Sequence, residues 1–265
     1  MMKKIAVLTT VSNFELYNKT NHLFGLEYDR YVIDGRDGMY GIQSVLYMMK
    51  KFKNLDYDYI IMADEDFILQ SNKTLIDLID EMDKNNITVS GVRDGGVINH
   101  RNYNPFCINT FFSVINLKKI KLIWNKKEML SNQKIEIGEF FLNEVLDYQY
   151  DECSLYEPYY CFYLWLLRKG EKIKYLTSKS LNLNNDCITN VIYHNSIIIG
   201  FHSWYARAYG SNKKQTERID LLLNDLDNNS LVTINYILWK DNTFKYKLYL
   251  KKFFRKIMIK LNRNK

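Results

Sequence analysis

Short apolar runs that alternate with amphipathic segments organise the first ninety residues of the chain. The runs are rich in Val, Ile and Tyr and have the length of buried strands. Between them, residues 40–53 and 73–85 carry apolar side chains at the spacing of one helix face. The four predicted strands are 4–10, 30–34, 59–63 and 88–92.

The second half of the chain predicts further strands and helices, separated by longer polar segments. Pro158 suits the start of a helix, and Gly170 suits its end. The predicted elements are a strand at 110–116, helices at 136–148 and 158–168, a strand at 172–176 and an extended segment at 191–200. This alternation predicts an α/β fold with a mostly parallel sheet flanked by helices on both faces, and ligands at the carboxyl ends of the strands.

Composition supports one large folded domain followed by a tail. The 265 residues are 47% hydrophobic and 15% aromatic, and no Pro/Gly/Ser-rich linker divides them. The apolar segment after Lys4 is too short for export or spanning, so a cytoplasmic protein is expected. The four cysteines lack CxxC spacing, which favours reduced thiols over a zinc site. The predicted division is a domain over 1–239 and a tail over 240–265.

Positive charge is concentrated in that tail. Ten of the 37 Lys and Arg residues lie in 240–265, against one of the 30 Asp and Glu residues. Apolar residues recur there every three or four positions, which predicts a basic amphipathic helix on the anionic inner face of the cell membrane. The alternative is a helix packed on the domain with its lysines in water. Nucleic acid is not an expected partner, because the remaining chain has no basic surplus and no recognisable reading motif.

The strand at 59–63 stops in three consecutive acidic residues. In an extended segment Asp64 and Asp66 point to the same side, and Glu65 points to the other. Two carboxylates at a strand end suit Mg²⁺ or Mn²⁺ carrying a phosphorylated substrate. The alternative is a solvated acidic turn between a strand and a helix.

Several separated features occur in one order. The first three strands end in Thr9-Thr10, Asp34-Gly35 and Asp64-Glu65-Asp66; an acidic residue then opens a helix that closes with a glycine, and His202 follows late in the chain. Over roughly residues 3–210 this order resembles nucleotide-sugar-dependent glycosyltransferases of the GT-A fold, with 64–66 as the DxD motif. It is the ordering, rather than any single element, that carries the resemblance.

The resemblance implies a donor site and a metal site at the strand ends. It implies that Asp66, and Asp64 directly or through ribose or water, hold Mn²⁺ or Mg²⁺ on the donor diphosphate. It also implies that His202 completes the metal site, although a histidine in an aromatic segment is also typical of simple packing. The residues assigned to the nucleotide sugar are Thr9, Thr10, Asp34, Arg36 and Glu65.

The resemblance also implies a catalytic base and an acceptor site. Glu157 matches the carboxylate that deprotonates the attacking hydroxyl in inverting members, but Pro158 replaces the acid that usually follows it. Asp151 or Glu152 are alternative bases, and Glu157 could instead favour a helix dipole. The residues assigned to the acceptor follow the fourth strand: Arg93, Asp94 and Asn109.

These expectations combine into one hypothesis and two rivals. The hypothesis is a metal-dependent transfer of a sugar from a nucleotide-diphosphate donor to a hydroxyl of a glycan or lipid-linked precursor at the membrane. The resemblance implies that the transfer inverts the anomeric configuration. A nucleotidyltransferase is the rival enzyme, but residues 9–13 lack the glycine-rich basic phosphate loop expected of it. The rival without chemistry is a membrane-attached scaffold that binds nucleotide sugars without turnover.

Overall fold

The computed structural model describes residues 3–94, 103–182, 186–226, 234–250 and 253–254. The strands are β1 (Ile5–Val11), β2 (Asp29–Asp34), β3 (Tyr59–Ala63), β4 (Phe67–Leu69), β5 (Val89–Arg93), β6 (Ile108–Asn116), β7 (Ile173–Ser180), β8 (Asn190–His194), β9 (Ile197–His202) and β10 (Ile237–Trp239). The helices are α1 (Phe14–Thr20), α2 (Ile42–Phe52), α3 (Asn72–Lys84), α4 (Leu117–Ile123), α5 (Lys126–Ser131), α6 (Tyr160–Arg168) and α7 (Lys213–Leu226). Short 3₁₀ turns lie at Asn21–Leu23 and Ala206–Ala208.

One large mixed sheet runs through the molecule, in the strand order β10-β2-β1-β3-β6-β5-β7-β8-β9-β4. β1, β2, β3 and β10 are parallel to their neighbours within that group, as are β5 and β7. β6 lies antiparallel between β3 and β5, and β7, β8, β9 and β4 pair antiparallel in succession. The α/β class is confirmed, but the prediction of a mostly parallel sheet is wrong because β6 returns along β3 and the β8–β9 hairpin adds three antiparallel pairings.

The acidic triplet lies where the sheet turns back on itself. β4 begins three residues after β3 ends, yet it pairs with β9 at the far end of the strand order. Four residue steps lead from Ala63 to Phe67, and they span at most about 14 Å. The last strand of the order, β4, is therefore held close to β3, the fourth strand of the order, with residues 64–66 between them.

Helices cover both faces of the sheet, as the alternating side chains of β1 require. Ala6 and Leu8 belong to the apolar core that contains α2 and α6, whereas Val7 belongs to the core that contains α3. The predicted end of α6 is confirmed, because Gly170 adopts a φ of 74° directly beyond the last turn.

The predicted helix at 136–148 is wrong. The segment is a series of turns and bends, and Ile137 and Val145 are 89% and 100% exposed. Gly138 has a φ of 76°, which interrupts a helix near its start. The segment is held instead by Arg168, which donates to both carboxylate oxygens of Glu139 at 2.6 and 2.8 Å.

The C-terminal segment begins as an edge strand of the sheet. β10 pairs with β2, and residues 244–250 and 253–254 are helical. The rest of the predicted basic helix lies outside the described residues, and the division at 239/240 stays a prediction. In the part of the chain described here, no helix is both long and apolar enough to cross a membrane.

Candidate functional site

A pocket of about 530 Å³ opens at the carboxyl ends of β1 and β3. β6 runs in the opposite direction, so its first residues reach the same edge, and the backbone N–H of Asp64 donates to the carbonyl of Phe111 at 2.8 Å. The predicted site residues that line this pocket are Thr10, Asp64, Glu65, Asp66, Asn109, Glu157 and His202. Ligands of α/β sheets gather at this edge, which makes the pocket the candidate active site.

The outer two acids of the triplet have opposite electrostatic environments. Removal of water and the charges of Asp66 and Glu65 raise the pKa of Asp64 well above its usual range, while the charge of Arg207 acts in the other direction. Burial would also raise the pKa of Asp66, but the charge and hydrogen bond of His202 outweigh it and hold that pKa below the usual value. Asp66 is therefore ionised, whereas Asp64 lacks a matching positive charge.

Glu65 has a structural role in addition to its predicted contact with the donor. Its side chain is 3% exposed, and its Oε1 accepts hydrogen bonds from the backbone amides of Ser12 and Asn13 at 2.8 and 2.7 Å. Burial and the charge of Asp66 raise the pKa of Glu65 to about 7, although the backbone amides oppose them. The carboxylate thus holds the turn after β1 against the triplet.

His202 lies beside Asp66 because of the strand pairing. β4 and β9 place Phe67 opposite His202, and the His202 Nε2 atom is 3.5 Å from Asp66 Oδ1. The imidazole stacks on Phe111 at a centroid distance of 3.8 Å, so packing also fixes it. Its buried Nδ1 atom has no hydrogen-bond partner among the described residues.

These side chains fit a divalent cation in their chemistry. Two carboxylates and one imidazole are suitable ligands for Mn²⁺, and the raised pKa of Asp64 shows a cluster of acids that a cation would stabilise. Within the described ranges, however, no group of three or more His, Cys, Asp or Glu side chains is already gathered to hold a metal ion. Asp64 and Asp66 are the ligands that the pocket presents most directly.

Glu157 is the predicted base that reaches the pocket. It precedes α6, which begins at Tyr160, two residues later than predicted, and its side chain is half-buried in the pocket wall. The alternatives Asp151 and Glu152 do not line this pocket. Asp151 Oδ1 accepts from the amide of Cys153 at 2.9 Å, as expected of a turn residue.

Arg207 is a pocket residue that the sequence analysis missed. It lies on the 3₁₀ turn after β9, exposed at the pocket mouth, with its guanidinium carbon 4.7 Å from the ring centroid of Tyr40. Tyr40 comes from the loop after β2, so the two side chains meet across the opening. A lone arginine in an irregular loop gives no periodic signal, and only its place after the late histidine sets it apart in the sequence.

The backbone before Arg207 is strained and firmly anchored. Trp204 and Tyr205 both have a φ of 60°, a left-handed conformation that non-glycine residues rarely adopt. Arg218 of α7 donates to the carbonyl of Ser203 at 2.5 Å and to that of Trp204 at 3.3 Å. Asp186 accepts from Arg218 at 3.2 Å, and both side chains are about nine-tenths buried. This network fixes the loop that carries His202 and Arg207.

The other predicted donor residues lie near the pocket but outside its lining. Thr9 is 3% exposed and faces a small internal space behind the acidic triplet. The Asp34 carboxylate is 3% exposed and accepts from Arg36 at 2.7 and 2.8 Å. Arg36 in turn stacks on Phe14, with its guanidinium carbon 4.7 Å from the ring centroid. Thr9, Asp34 and Arg36 are thus not among the residues that line the pocket.

The predicted acceptor residues are divided between the pocket and the core. Asn109 lines the pocket and donates to Asp94 Oδ1 at 3.0 Å. Asp94 has no exposed surface, and its Oδ2 accepts from the hydroxyls of Tyr159 and Tyr160 at 2.7 and 2.6 Å. Arg93 stacks on Tyr175 and does not line the pocket. Any effect of Asp94 or Arg93 on an acceptor is therefore indirect.

A larger cavity, of about 720 Å³, lies at the opposite edge of the sheet, around Lys3, Lys4 and Asp80. Lys3 pairs with Asp80 at 2.6 Å and Lys4 pairs with Asp56 at 2.5 Å. Glu27 and Asp29 also line the cavity, which borders the amino ends of β1 and β2. It lies at the sheet edge opposite to the one where ligands of α/β folds gather.

No protein-family model matches the sequence, and no curated protein matches it. Parts of the chain are similar to solved glycosyltransferase structures. The mannosyltransferase PcManGT from Pyrobaculum calidifontis, in complex with GDP-Man and Mn²⁺, has 6% identity and a TM-score of 0.32, over 46% of this chain and 47% of that one. A glycosyltransferase involved in glycosylation of the major capsid of PBCV-1 has 20% identity and a TM-score of 0.32, over 45% and 63%.

Residues 1–349 of S. aureus TarS have 11% identity and a TM-score of 0.25, over 44% of this chain and 48% of that one. The chain therefore spans about half to three fifths of these proteins. Likenesses at these TM-scores do not establish an activity for this chain, which has to be inferred from its own pocket.

The Asp94 network predicts a large contribution to stability. Burial and the charge of Asp94 raise the pKa of Tyr160, so the hydroxyl remains a donor. We expect Asp94→Ala to lower the free energy of unfolding by about 3 kcal/mol, because buried donors lose a charged acceptor. Tyr160→Phe should cost about half as much. Denaturant unfolding measures both, with Asp147→Ala, an exposed carboxylate, as a control that changes little. Equal effects of Asp94→Ala and Asp147→Ala would contradict this role.

Proposed function

We propose that this protein is a metal-dependent glycosyltransferase that moves a sugar from a nucleoside diphosphate to a hydroxyl acceptor. The observation that carries the proposal is the convergence of Asp64, Asp66, His202, Glu157 and Arg207 on one pocket at the carboxyl edge of the sheet. Such a transfer needs carboxylates that bind a metal ion, a positively charged side chain that binds a phosphate, and a separate carboxylate that accepts a proton.

The donor side is assigned from charge. Asp64 and Asp66 would hold Mn²⁺ or Mg²⁺, with His202 as the third candidate ligand. When bound, the cation neutralises charge on the departing diphosphate. Arg207 lies exposed at the pocket mouth, in contact with the ring of Tyr40. Its guanidinium can leave that ring and bind phosphate oxygens through two parallel hydrogen bonds, which its planar shape favours. Thr10 and Ser12 also line the pocket, and the nucleoside would lie against them.

The acceptor side is assigned from Glu157. Its carboxylate takes the proton of the acceptor hydroxyl while the hydroxyl oxygen bonds to the anomeric carbon. The bond from that carbon to the diphosphate oxygen breaks, and the diphosphate leaves with the electron pair. This single displacement inverts the anomeric configuration. Asn109, beside Phe111 in the pocket wall, is placed to contact the acceptor.

The tail is proposed to attach the enzyme to a membrane surface that carries a lipid-linked acceptor. Tyr246, Tyr249 and Leu250 of the helical segment are 71%, 69% and 52% exposed, and Lys245 and Lys247 lie among them. Exposed aromatic and aliphatic side chains with lysines suit the interface of an anionic bilayer. This proposal places the protein at the inner face of the cell membrane.

Nucleotide binding tests the donor assignment. We expect one family of nucleoside diphosphates to raise the melting temperature of the protein in a Mn²⁺-dependent manner. Asp66→Ala should abolish the shift, and Arg207→Ala should weaken it more than Arg207→Lys does. Asp77→Ala, an exposed acid on α3, is the matched control and should behave as wild type. A wild-type protein that no nucleotide stabilises would contradict the proposal.

Glu157→Gln tests the base. We expect transfer to fall by a factor of about 10² to 10⁴, the usual contribution of a general base. Binding of the nucleoside diphosphate should be unchanged, because Glu157 is assigned to the acceptor side. Glu152→Gln, outside the pocket, is the control. Near-normal transfer by Glu157→Gln would remove Glu157 from the mechanism, and binding without any transfer or donor hydrolysis in wild type would favour the scaffold alternative.

Vesicle flotation tests the tail. We expect the protein to float with anionic vesicles at low salt, to float less as salt is raised, and to stay behind with neutral vesicles. Tyr246→Ser combined with Leu250→Ser should reduce flotation, because these exposed side chains supply the apolar contact. A protein that remains soluble with anionic vesicles at moderate salt does not use the tail in this way.

A further inference from the structure

The C-terminal segment 237–248, here called the C-terminal brace, contacts the loop that leads from β2 into the pocket. β10 extends β2 in parallel register, with Ile237 opposite Tyr31 and Trp239 opposite Ile33. The pairing ends one residue before Asp34. The brace therefore leaves the sheet at the point where the donor loop, residues 34–41, begins.

Aromatic packing fixes the first part of the brace. The ring of Trp239 lies 4.6 Å from that of Tyr31 and 5.1 Å from that of Phe52 of α2, between ring centroids. These partners belong to the main apolar core. Aromatic contacts of this kind stabilise a structure beyond the effect of burial alone, so Trp239 is packed firmly on the domain.

The next residue forms an ion pair with the donor loop. The Lys240 Nζ atom is 3.5 Å from Asp34 Oδ2, a carboxylate that is 3% exposed. Arg36 and Lys240 together compensate this buried charge, and they approach it from the loop and from the brace. Asp34 is shielded from water, whereas the Lys240 side chain is 45% exposed, so this ion pair adds a modest contribution to that of Arg36.

The helical part of the brace then packs on the middle of the loop. Leu248 Cδ2 lies 3.4 Å from the place that a Cβ atom on Gly38 would occupy, and Phe244 Cε1 lies 3.9 Å from it. Gly38 has a φ of 94°, so the loop needs a glycine there. The ring of Tyr40 approaches the same place to 4.0 Å, and Tyr40 lines the pocket.

We propose that the C-terminal brace is a positioning element of the donor site. It holds residues 34–41 in place. One of these residues is Tyr40, whose ring contacts Arg207 at the pocket mouth. The ligand that benefits is a nucleoside diphosphate, which rests on the proposed function. The face of the helix that carries Tyr246 and Tyr249 is exposed, so the brace holds the loop while the outer face is free to meet a membrane.

Matched substitutions in the full-length chain test this proposal. Lys240→Gln combined with Leu248→Ala removes the ion pair and the contact at Gly38. Lys126→Gln combined with Leu122→Ala changes the same residue types at exposed positions of α5 and α4, outside the brace and the pocket. Three quantities are measured: amide hydrogen exchange of residues 34–41 without ligand, the Kd of UDP and of GDP with Mn²⁺, and the midpoint of thermal unfolding.

We expect the first variant to exchange faster at residues 34–41 and to bind the nucleoside diphosphate on the order of tenfold more weakly, as loss of a shielded ion pair and an apolar contact suggests. The unfolding midpoint should stay close to that of the control. In transfer assays the donor KM should rise while kcat is kept, a split that general destabilisation would not produce. Lys240→Arg should retain wild-type binding.

Unchanged exchange at residues 34–41 in the first variant, or equal changes in both variants, would overturn the proposal. If wild type binds neither UDP nor GDP, the donor role falls together with the proposed function. The exchange data still decide in that case whether the brace holds the loop, so the two failures are distinguishable.

Discussion

The hydrogen bonds from the backbone of Ser12 and Asn13 to the buried carboxylate of Glu65 hold the candidate site together. They attach the turn after β1 to the corner between β3 and β4. Asn13 then donates from its side chain to the carbonyls of Ala206 and Tyr209 at 2.9 and 2.8 Å. One carboxylate thus connects the two segments that carry the pocket residues Ser12 and Arg207. Burying it raises its pKa to about 7, a cost that the amide hydrogen bonds partly offset.

This arrangement separates support from chemistry within three consecutive residues. Glu65 is buried and accepts hydrogen bonds from the backbone amides of Ser12 and Asn13, and all three acids line the pocket. The predicted extended conformation of the triplet is wrong, because the chain turns there and the amide of Phe67 donates to the carbonyl of Asp64 at 3.1 Å. The pattern did not indicate that Asp66 would obtain a histidine partner, because the partner depends on the antiparallel pairing of β4 with β9.

The parts of the fold that were predictable are those set by local pattern. The apolar runs that became β1, β2, β3 and β5 are continuous and end in polar residues, and the helix spacing of α2 and α3 is regular. The antiparallel insertion of β6 depends on contacts distant in sequence, and no local signal specifies it. The helix wrongly predicted at 136–148 had the right periodicity, but Gly138 and the pairing of Glu139 with Arg168 favour turns. Tertiary contacts there outweigh helical propensity.

The same reasoning explains which site residues the sequence could indicate. Glu157, Asp64 and Asp66 are acids at the ends of regular elements, and position alone marks them. Arg207 acquires its place only because Arg218 anchors a strained loop from another helix, and Asp94 is removed from the surface by two tyrosines of the α6 turn. The tail illustrates both what a local pattern can indicate and what only tertiary contacts determine. Its charge and periodicity indicate an amphipathic helix, yet the contacts of Trp239, Lys240 and Leu248 with the domain depend on β10 joining the sheet beside β2. The pairing of edge strand β10 with β2 thus attaches to the domain a segment that composition alone marks as an appendage.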